Sequence, residues 1–327
     1  MSDKPKVAFY WCASCGGCEE SVVDLAEDIL GVVAAVDIVL WPVAMDFKRA
    51  DVEAMPDGAI LASLINGAVR SSEQEEMVQL LRRKSQLVVA YGACAQLGGI
   101  PGLANQFERE EILRLVYEDS PSVQNPGHTR PQRRTQENGR VATLPMLHQV
   151  VRTLDQVIPV DYYLPGCPPT PALLQSALTA LLSGQAPPKG SILAPDIALC
   201  EQCPHKDSKP VDLRFTEFMR PHQMVVDPER CLLAQGLVCC GPATRGGCEA
   251  RCIRGNMPCS GCFGPTSRVR DQGAKLLSTL CSNLAATEEA EIDRVLGTVP
   301  DPVGTFYRYS LAASLLRKRV GRSPEAL

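Results

Sequence analysis

Seven of the chain's fifteen cysteines crowd into positions 231, 239, 240, 248, 252, 259 and 262, and packing alone does not call for thiols at that density. Sulfurs this close together cross-link, bind metal or carry redox chemistry. The stretch ends in Cys259-Ser260-Gly261-Cys262, a C-x-x-C whose Ser-Gly turn lets both sulfurs reach one metal centre at little strain. A second C-x-x-C lies upstream at Cys200 and Cys203. Counting Cys200, Cys203, Cys231, Cys239 or Cys240, Cys248, Cys252, Cys259 and Cys262 gives eight ligand positions, or two sets of four. Four thiolates close a site for zinc or for a cubane iron–sulfur cluster, and spacing does not distinguish the two. A helix over 248–252 would place Cys248 and Cys252 one turn apart on one face.

With 327 residues the chain has enough length for two domains with their own cores, so cysteine staples are not needed merely to fold it. The N-terminus runs directly into a short apolar strand, with no signal-peptide or twin-arginine pattern, and the expected setting is cytoplasmic. In a reducing compartment C-x-x-C spacings favour metal over structural disulfides. No apolar run reaches the roughly 18 residues of a transmembrane helix, so no direct membrane insertion is expected. A net charge of −4 gives no polyanion-binding signal, which argues against nucleic acid as a partner.

Along the chain, residues 6–11 read as a buried strand and Ser21 to Val33 as a helix with Val22, Leu25, Ala26 and Ile29 on one face. Val36 to Leu40 and Ala59 to Ala62 read as further strands, followed by a helix from Ser72 to Lys84. Leu87 to Tyr91 is another strand, stopping at Gly92-Ala93-Cys94. Asp161 to Leu164 is one more, stopping at Pro165-Gly166-Cys167-Pro168-Pro169 before a helix with Leu174, Ala177, Leu178 and Leu181 at core spacing. Strand alternating with helix predicts an α/β fold with an open parallel sheet. In such sheets the binding crevice lies outside the carboxyl ends of the strands, where Cys15, Cys18, Cys94 and Cys167 all fall, so topology alone predicts a third four-thiolate site.

Residues 119–140, rich in Pro, Asn and Arg, read as a solvated surface excursion. Gly184 to Gly190 reads as the linker, dividing the chain into a sheet domain, 1–185, and a mostly irregular and helical iron–sulfur domain, 186–327. In the second domain periodicity is poor until Thr266 to Ala285, as expected if clusters organise the fold in place of a large core. Val303 to Val320 is expected to form an amphipathic terminal helix packed on its own chain or a partner.

Trp11-Cys12-Ala13-Ser14-Cys15 also fits a thioredoxin-type dithiol, but that reading leaves Cys94 and Cys167 unexplained, and Cys12 becomes a bystander. The glycines of Cys15-Gly16-Gly17-Cys18 instead let backbone approach a bulky inorganic centre. His128, His148, His205 and His222 show no mutual ligand spacing and are expected in surface or hydrogen-bonded roles. Glu19 and Glu20, opening a helix, are expected to stabilise its dipole.

Three segments then resemble a known family: Cys15-Gly16-Gly17-Cys18-Glu19-Glu20-Ser21, the run from Gly92 through Cys94 and Gly98 to Gly102, and Pro165-Gly166-Cys167-Pro168-Pro169. Together with Cys239-Cys240-Gly241-Pro242-Ala243-Thr244 and Cys259-Ser260-Gly261-Cys262-Phe263-Gly264-Pro265, they are similar to the small, electron-transferring subunit of nickel–iron hydrogenases. The ending Val303-Gly304-Thr305-Phe306-Tyr307 looks most like the cytoplasmic methyl-viologen-reducing group, whose relatives work with heterodisulfide reductase. The resemblance implies a flavodoxin-like first domain and three 4Fe-4S clusters. The proximal cluster would use Cys15, Cys18, Cys94 and Cys167, the medial Cys248, Cys252, Cys259 and Cys262, and the distal Cys200, Cys203, Cys231 and Cys239. Cys252 supplies a fourth medial thiolate that many membrane-associated members lack. Cys200 stands where many members have histidine, a change that lowers a cluster's potential. Cys12, Cys240 and Cys281 remain unassigned. The nickel–iron centre would belong to a large partner subunit, and electrons would leave to an acceptor subunit bearing iron–sulfur or flavin, of the heterodisulfide reductase type. Two rivals are a complex-I-like quinone-side subunit, which would not need the eight later cysteines, and a zinc-binding assembly subunit.

Overall fold

The computed structural model describes residues 4–42 and 44–318. Its first half is a five-stranded, all-parallel sheet built from β1 (Lys6–Trp11), β2 (Asp37–Leu40), β3 (Ile60–Asn66), β5 (Ser85–Tyr91) and β9 (Tyr162–Leu164), in the order β2-β1-β3-β5-β9. This is the doubly wound order of flavodoxin-like sheets, with the switch point between β1 and β3. The central β3 is buried along nearly its whole length, as expected of a strand covered on both faces.

Helices α1 (Gly17–Val23), α2 (Ile29–Ala35) and α7 (Pro171–Leu182) flank the sheet, as do α3 (Arg49–Ala54) and α4 (Ser72–Lys84). The helix expected over 21–33 starts earlier and is broken, with a 3₁₀ turn at Ala26–Asp28 separating α1 from α2. Helix α4 forms as expected, because Ser71 accepts from the Gln74 amide at 3.3 Å and Gln74 reaches back to the Ser71 amide at 3.1 Å. It buries Met77, Val78, Leu80 and Leu81. In α7, Thr170 caps the Leu173 amide and Pro171 opens the first turn.

Between β5 and β9 the chain makes α5 (Ala93–Leu97), α6 (Arg109–Arg114) and β8 (Leu147–Arg152), which pairs antiparallel with β4 (Val69–Ser71), a short strand between β3 and α4. The Arg-rich excursion contains a hairpin of β6 (Arg134–Glu137) and β7 (Arg140–Thr143), exposed at every residue, so its solvent-facing character holds although it is not structureless.

The segment read as a linker is tied to the sheet. Lys189 Nζ pairs with Asp161 Oδ1 at 2.7 Å, the Gly190 amide donates to the Asp161 carbonyl at 2.7 Å, and residues 191–193 run beside Tyr163 as a parallel bridge. Beyond it lie α8 (Arg251–Arg254), α9 (Gln272–Cys281), α10 (Glu289–Leu296) and α11 (Pro302–Phe306), joined by 3₁₀ turns. A sizeable apolar core does form here, around Leu199, Phe215, Phe218, Leu233, Leu237 and Leu276. Its members come largely from turns and loops, which have no period to read.

The terminal helix expected over 303–320 is not formed: α11 ends at Phe306, and a 3₁₀ turn, Leu311–Ala313, follows. The tail instead docks on the first half, where the Gly99 amide donates to the Tyr309 carbonyl at 2.9 Å and Asn105 to the Arg317 carbonyl at 2.9 Å. Residues 319 and 320 of that expectation lie outside the described residues. Among the described residues no helix is long and apolar enough to cross a membrane.

Asp161 joins strand, helix and linker, accepting from Arg82 at 2.6 Å and from the Val88 amide at 2.8 Å besides its pairing with Lys189. Burial alone would push its carboxyl up, but Lys189, Arg82 and the Val88 amide outweigh it and hold the carboxyl below its usual 3.8. A depressed folded value means stabilisation that is present above the unfolded value and lost as pH falls through the folded one. Asp161→Asn is therefore expected to cost about 1–3 kcal/mol near neutral pH. In denaturant titrations the gap between wild type and variant should close below pH 3.8.

Candidate iron–sulfur sites

Three loops at the carboxyl edge of the sheet bring Cys15, Cys18, Cys94 and Cys167 together. Cys15 and Cys18 follow β1, Cys94 follows β5 and Cys167 follows β9. Cys94 sits in the first turn of α5, whereas the sequence placed it in a loop. The sulfurs are near enough to act on one another's ionisation. Burial pushes the Cys18 thiol up and the charges of Cys94, Cys167 and Cys15 add to it, while Cys94 is pushed up to about 12 by burial and by Cys167 and Cys15. Two glycines line this cradle where a side chain would not fit. A Cβ on Gly92, at φ +86, would stand 2.3 Å from Cys18 Sγ, and one on Gly99, at φ +58, 2.3 Å from Cys94 Sγ.

Cys200, Cys203, Cys231 and Cys239 line a narrow cavity with His205, Lys209 and Gly241. Burial raises Cys200 to about 12 and Cys239 to about 11, and both feel Cys203 and Cys231. The neighbours Cys239 and Cys240 point in different directions. Cys240 faces away from this cavity, into a space bounded by Gln272, Arg308 and Tyr309. Cys12 is buried elsewhere in the sheet core, and Cys281 is exposed at the end of α9.

Cys248, Cys252, Cys259 and Cys262 border a cavity of about 180 Å³ whose far wall is Cys167 and the prolines that follow it. The helix expected over 248–252 is absent: Glu249 and Ala250 take positive φ, and α8 begins only at Arg251. The left-handed pair turns the chain so that Cys248 and Cys252 still meet at the same cavity. Among the described residues no group of three or more Cys, His, Asp or Glu side chains could hold a single metal ion. The sulfurs border spaces instead of meeting at a point.

Backbone amides are aimed at these sulfurs. The Ile100 amide donates to Cys94, His205 to Cys203, Gly241 to Cys239, Ala250 to Cys248 and Gly261 to Cys259. Two more join one set to the next. The Cys167 amide donates to Cys262 Sγ, and the Cys259 amide donates to Cys239 Sγ at 3.3 Å. Such donors favour the thiolate while burial opposes it, and a cation shared among the sulfurs resolves the conflict. Sets of four cysteine sulfurs with amide donors fit iron–sulfur groups by the chemistry of their donors.

The comparisons with known proteins agree in kind. The family model for the NADH ubiquinone oxidoreductase 20 Kd subunit matches residues 15–181, just over half the chain. The iron–sulfur subunit of the F420-non-reducing hydrogenase of Archaeoglobus profundus is 39% identical over 318 residues, 96% of this chain and 98% of that one. The corresponding subunit of the F420-non-reducing hydrogenase from Methanothermobacter thermautotrophicus is 36% identical over 326 residues, 98% of each. This chain belongs to the family of F420-non-reducing hydrogenase iron–sulfur subunits. It is a component of an oxidoreductase complex, of the methyl-viologen-reducing type that its motifs resemble. The structure of a Dm. baculatum [NiFeSe]-hydrogenase chain shares the fold, with TM-score 0.50 and 18% identity over 81% of this chain and 95% of that one.

Two residues depart from the sequence reading of this family member. Glu19 is buried, and its carboxylate accepts from Trp41 Nε1 and Asn66 Nδ2, so it packs the loop behind Cys18 and does not serve the helix dipole from solvent. His205, expected at the surface or hydrogen-bonded, lies among the Cys200 set with its Nε2 buried and without a partner. Its position two residues after the Cys200–Cys203 pair was the only signal in the sequence.

Gly92→Ala is expected to destabilise the chain by about 1–3 kcal/mol through overpacking against Cys18, beyond the about 1–2 kcal/mol that a positive φ costs any alanine. Gly139→Ala, at φ +74 with open space around it, isolates the conformational part. Anaerobic denaturant unfolding of the two variants side by side measures the difference.

Proposed function

We propose that the chain is the electron-transfer subunit of a cytoplasmic nickel–iron hydrogenase, relaying electrons from a large subunit to an acceptor subunit of the heterodisulfide reductase type. Three 4Fe-4S clusters would be held by Cys15, Cys18, Cys94 and Cys167, by Cys248, Cys252, Cys259 and Cys262, and by Cys200, Cys203, Cys231 and Cys239. Bound there, the clusters would supply one-electron redox steps at potentials set by ligand charge, hydrogen bonds to sulfur and burial. The observation that carries the reading is the pair of amide–sulfur links, Cys167 to Cys262 and Cys259 to Cys239, which supports an arrangement of the three sets in series.

The residues supply the rest. Cys15 is exposed, and the helices after it expose Val23, Leu30 and Val33, an apolar face on which a large subunit holding nickel and iron can seat. The Cys200 set, with Lys209 in its lining, would lie at the opposite end of the series and is assigned to the acceptor. The complex-I-like alternative accounts for the matched residues 15–181 and leaves the cysteines from 200 to 262 without a task.

Anaerobic metal analysis with EPR spectroscopy tests the reading. About twelve irons per chain, four for each of three cubanes, are expected with reducible signals. Stoichiometric zinc in place of iron would sink it. Cys94→Ser should remove or alter one signal and leave the other two, and co-purification with a nickel-containing large subunit tests the partner.

A further inference from the structure

We propose that His205 donates a hydrogen bond from Nε2 to a sulfur of the centre held by Cys200, Cys203, Cys231 and Cys239, and that it acts with Lys209 to raise that centre's potential. The inference rests on the cluster assignment above and concerns residues that the assignment does not use.

His205 is fixed in place by the cysteines themselves. Its amide donates to Cys203 Sγ, its carbonyl accepts from Ser208 Oγ at 2.8 Å, and that hydroxyl oxygen accepts from the Cys231 amide at 2.8 Å. The ring is thus held between two of the four sulfur-bearing residues, on the wall of the cavity they enclose. A buried imidazole nitrogen without a partner is costly, and the cavity contents are the acceptor within reach. Lys209 lines the same wall, and its charge acts on Cys200.

Function gives the arrangement a purpose. A fourth thiolate at Cys200 adds negative charge to this centre and lowers its potential. A hydrogen bond to sulfur and a nearby ammonium act in the opposite direction, because both stabilise the reduced, more negative state. His205 and Lys209 are positioning and tuning residues in this account, with the four cysteines as the ligands.

The test uses the purified complex of this chain with its large subunit, titrated anaerobically and followed by EPR, with the relevant signal identified by its loss in Cys231→Ala. In His205→Ala the ratio of reduced to oxidised centre at the wild-type midpoint is expected to fall about tenfold, equivalent to about 59 mV for a one-electron couple. Lys209→Gln should shift it the same way, and His205→Gln, which keeps a donor, should recover part of the loss. Pulsed EPR on the wild-type complex gives a second reading that needs no variant: an exchangeable proton coupled to this centre, replaced by deuterium in heavy water and missing in His205→Ala. A reducible centre with an unmoved midpoint and no such proton would overturn this inference alone. A strong nitrogen coupling, diagnostic of imidazole bound to iron, would also overturn it by making His205 a ligand. A wild-type complex with no reducible centre in this cavity would overturn the cluster assignment along with it.

Discussion

The structure turns on backbone amides directed at buried sulfur. A thiol sealed from water resists ionisation, and each of the three sets collects several such thiols where they also repel one another. Amide donors on Cys94, Cys203, Cys239, Cys248, Cys259 and Cys262 push the other way, although burial outweighs them and each thiol stays above its ordinary value. The same bonds hold the irregular chain in shape. Between residues 200 and 262 the backbone has little helix and no long strand, and much of its polar character is satisfied by short turns and by sulfur. A fold of this kind is specified by what its loops enclose as much as by its apolar core.

Rigidity between the sets follows from two further ties. The edge of the sheet continues past β9 through the bridge at Ile192, and the C-terminal tail returns to pack Ala312 against Gly98 and Gly102. A Cβ on Gly98 would come within 2.4 Å of the Ala312 methyl, so the tail lies directly on the turn after Cys94. The segment Tyr307–Ala313 therefore spans from α9, where Tyr307 covers Gly273, to the turn that follows Cys94. A chain that closes on itself in this way ties the tail, α9 and the turn after Cys94 to one another.

Legibility from sequence divides along the same physical line. The parallel sheet was readable because buried strands such as Leu87–Tyr91 and the capped helix Ser72–Lys84 write their environment into periodicity and capping. The meeting of Cys15, Cys18, Cys94 and Cys167 was readable too, since topology alone delivers the carboxyl ends of parallel strands to one edge. The remaining eight were countable as ligands, but their partition came from family resemblance, because loops obey no period. Cys248 and Cys252 reach one cavity through a left-handed Glu249–Ala250 pair that no pattern announces. The split of the first helix at Ala26, the failure of the terminal helix after Phe306, and the inward face of His205 are likewise tertiary outcomes.

The matched family model runs from residue 15 to residue 181 and so takes in all four cysteines at the edge of the sheet. The cradle at the sheet edge is a product of the sheet: its four cysteines, Gly92 and Gly99 all lie on loops and short helix starts that parallel strands position. The later cysteines draw on it in turn. Cys262 takes its donor from the Cys167 amide, and Cys239 takes one of its donors from Cys259. Cys94, upstream, draws its donors from nearby loops of the sheet domain, at Ile100 and Ser14. The two parts are thus tied in both directions: the Cys167 amide completes the surroundings of Cys262, and the Gly99 amide beside Cys94 is satisfied by the Tyr309 carbonyl of the tail.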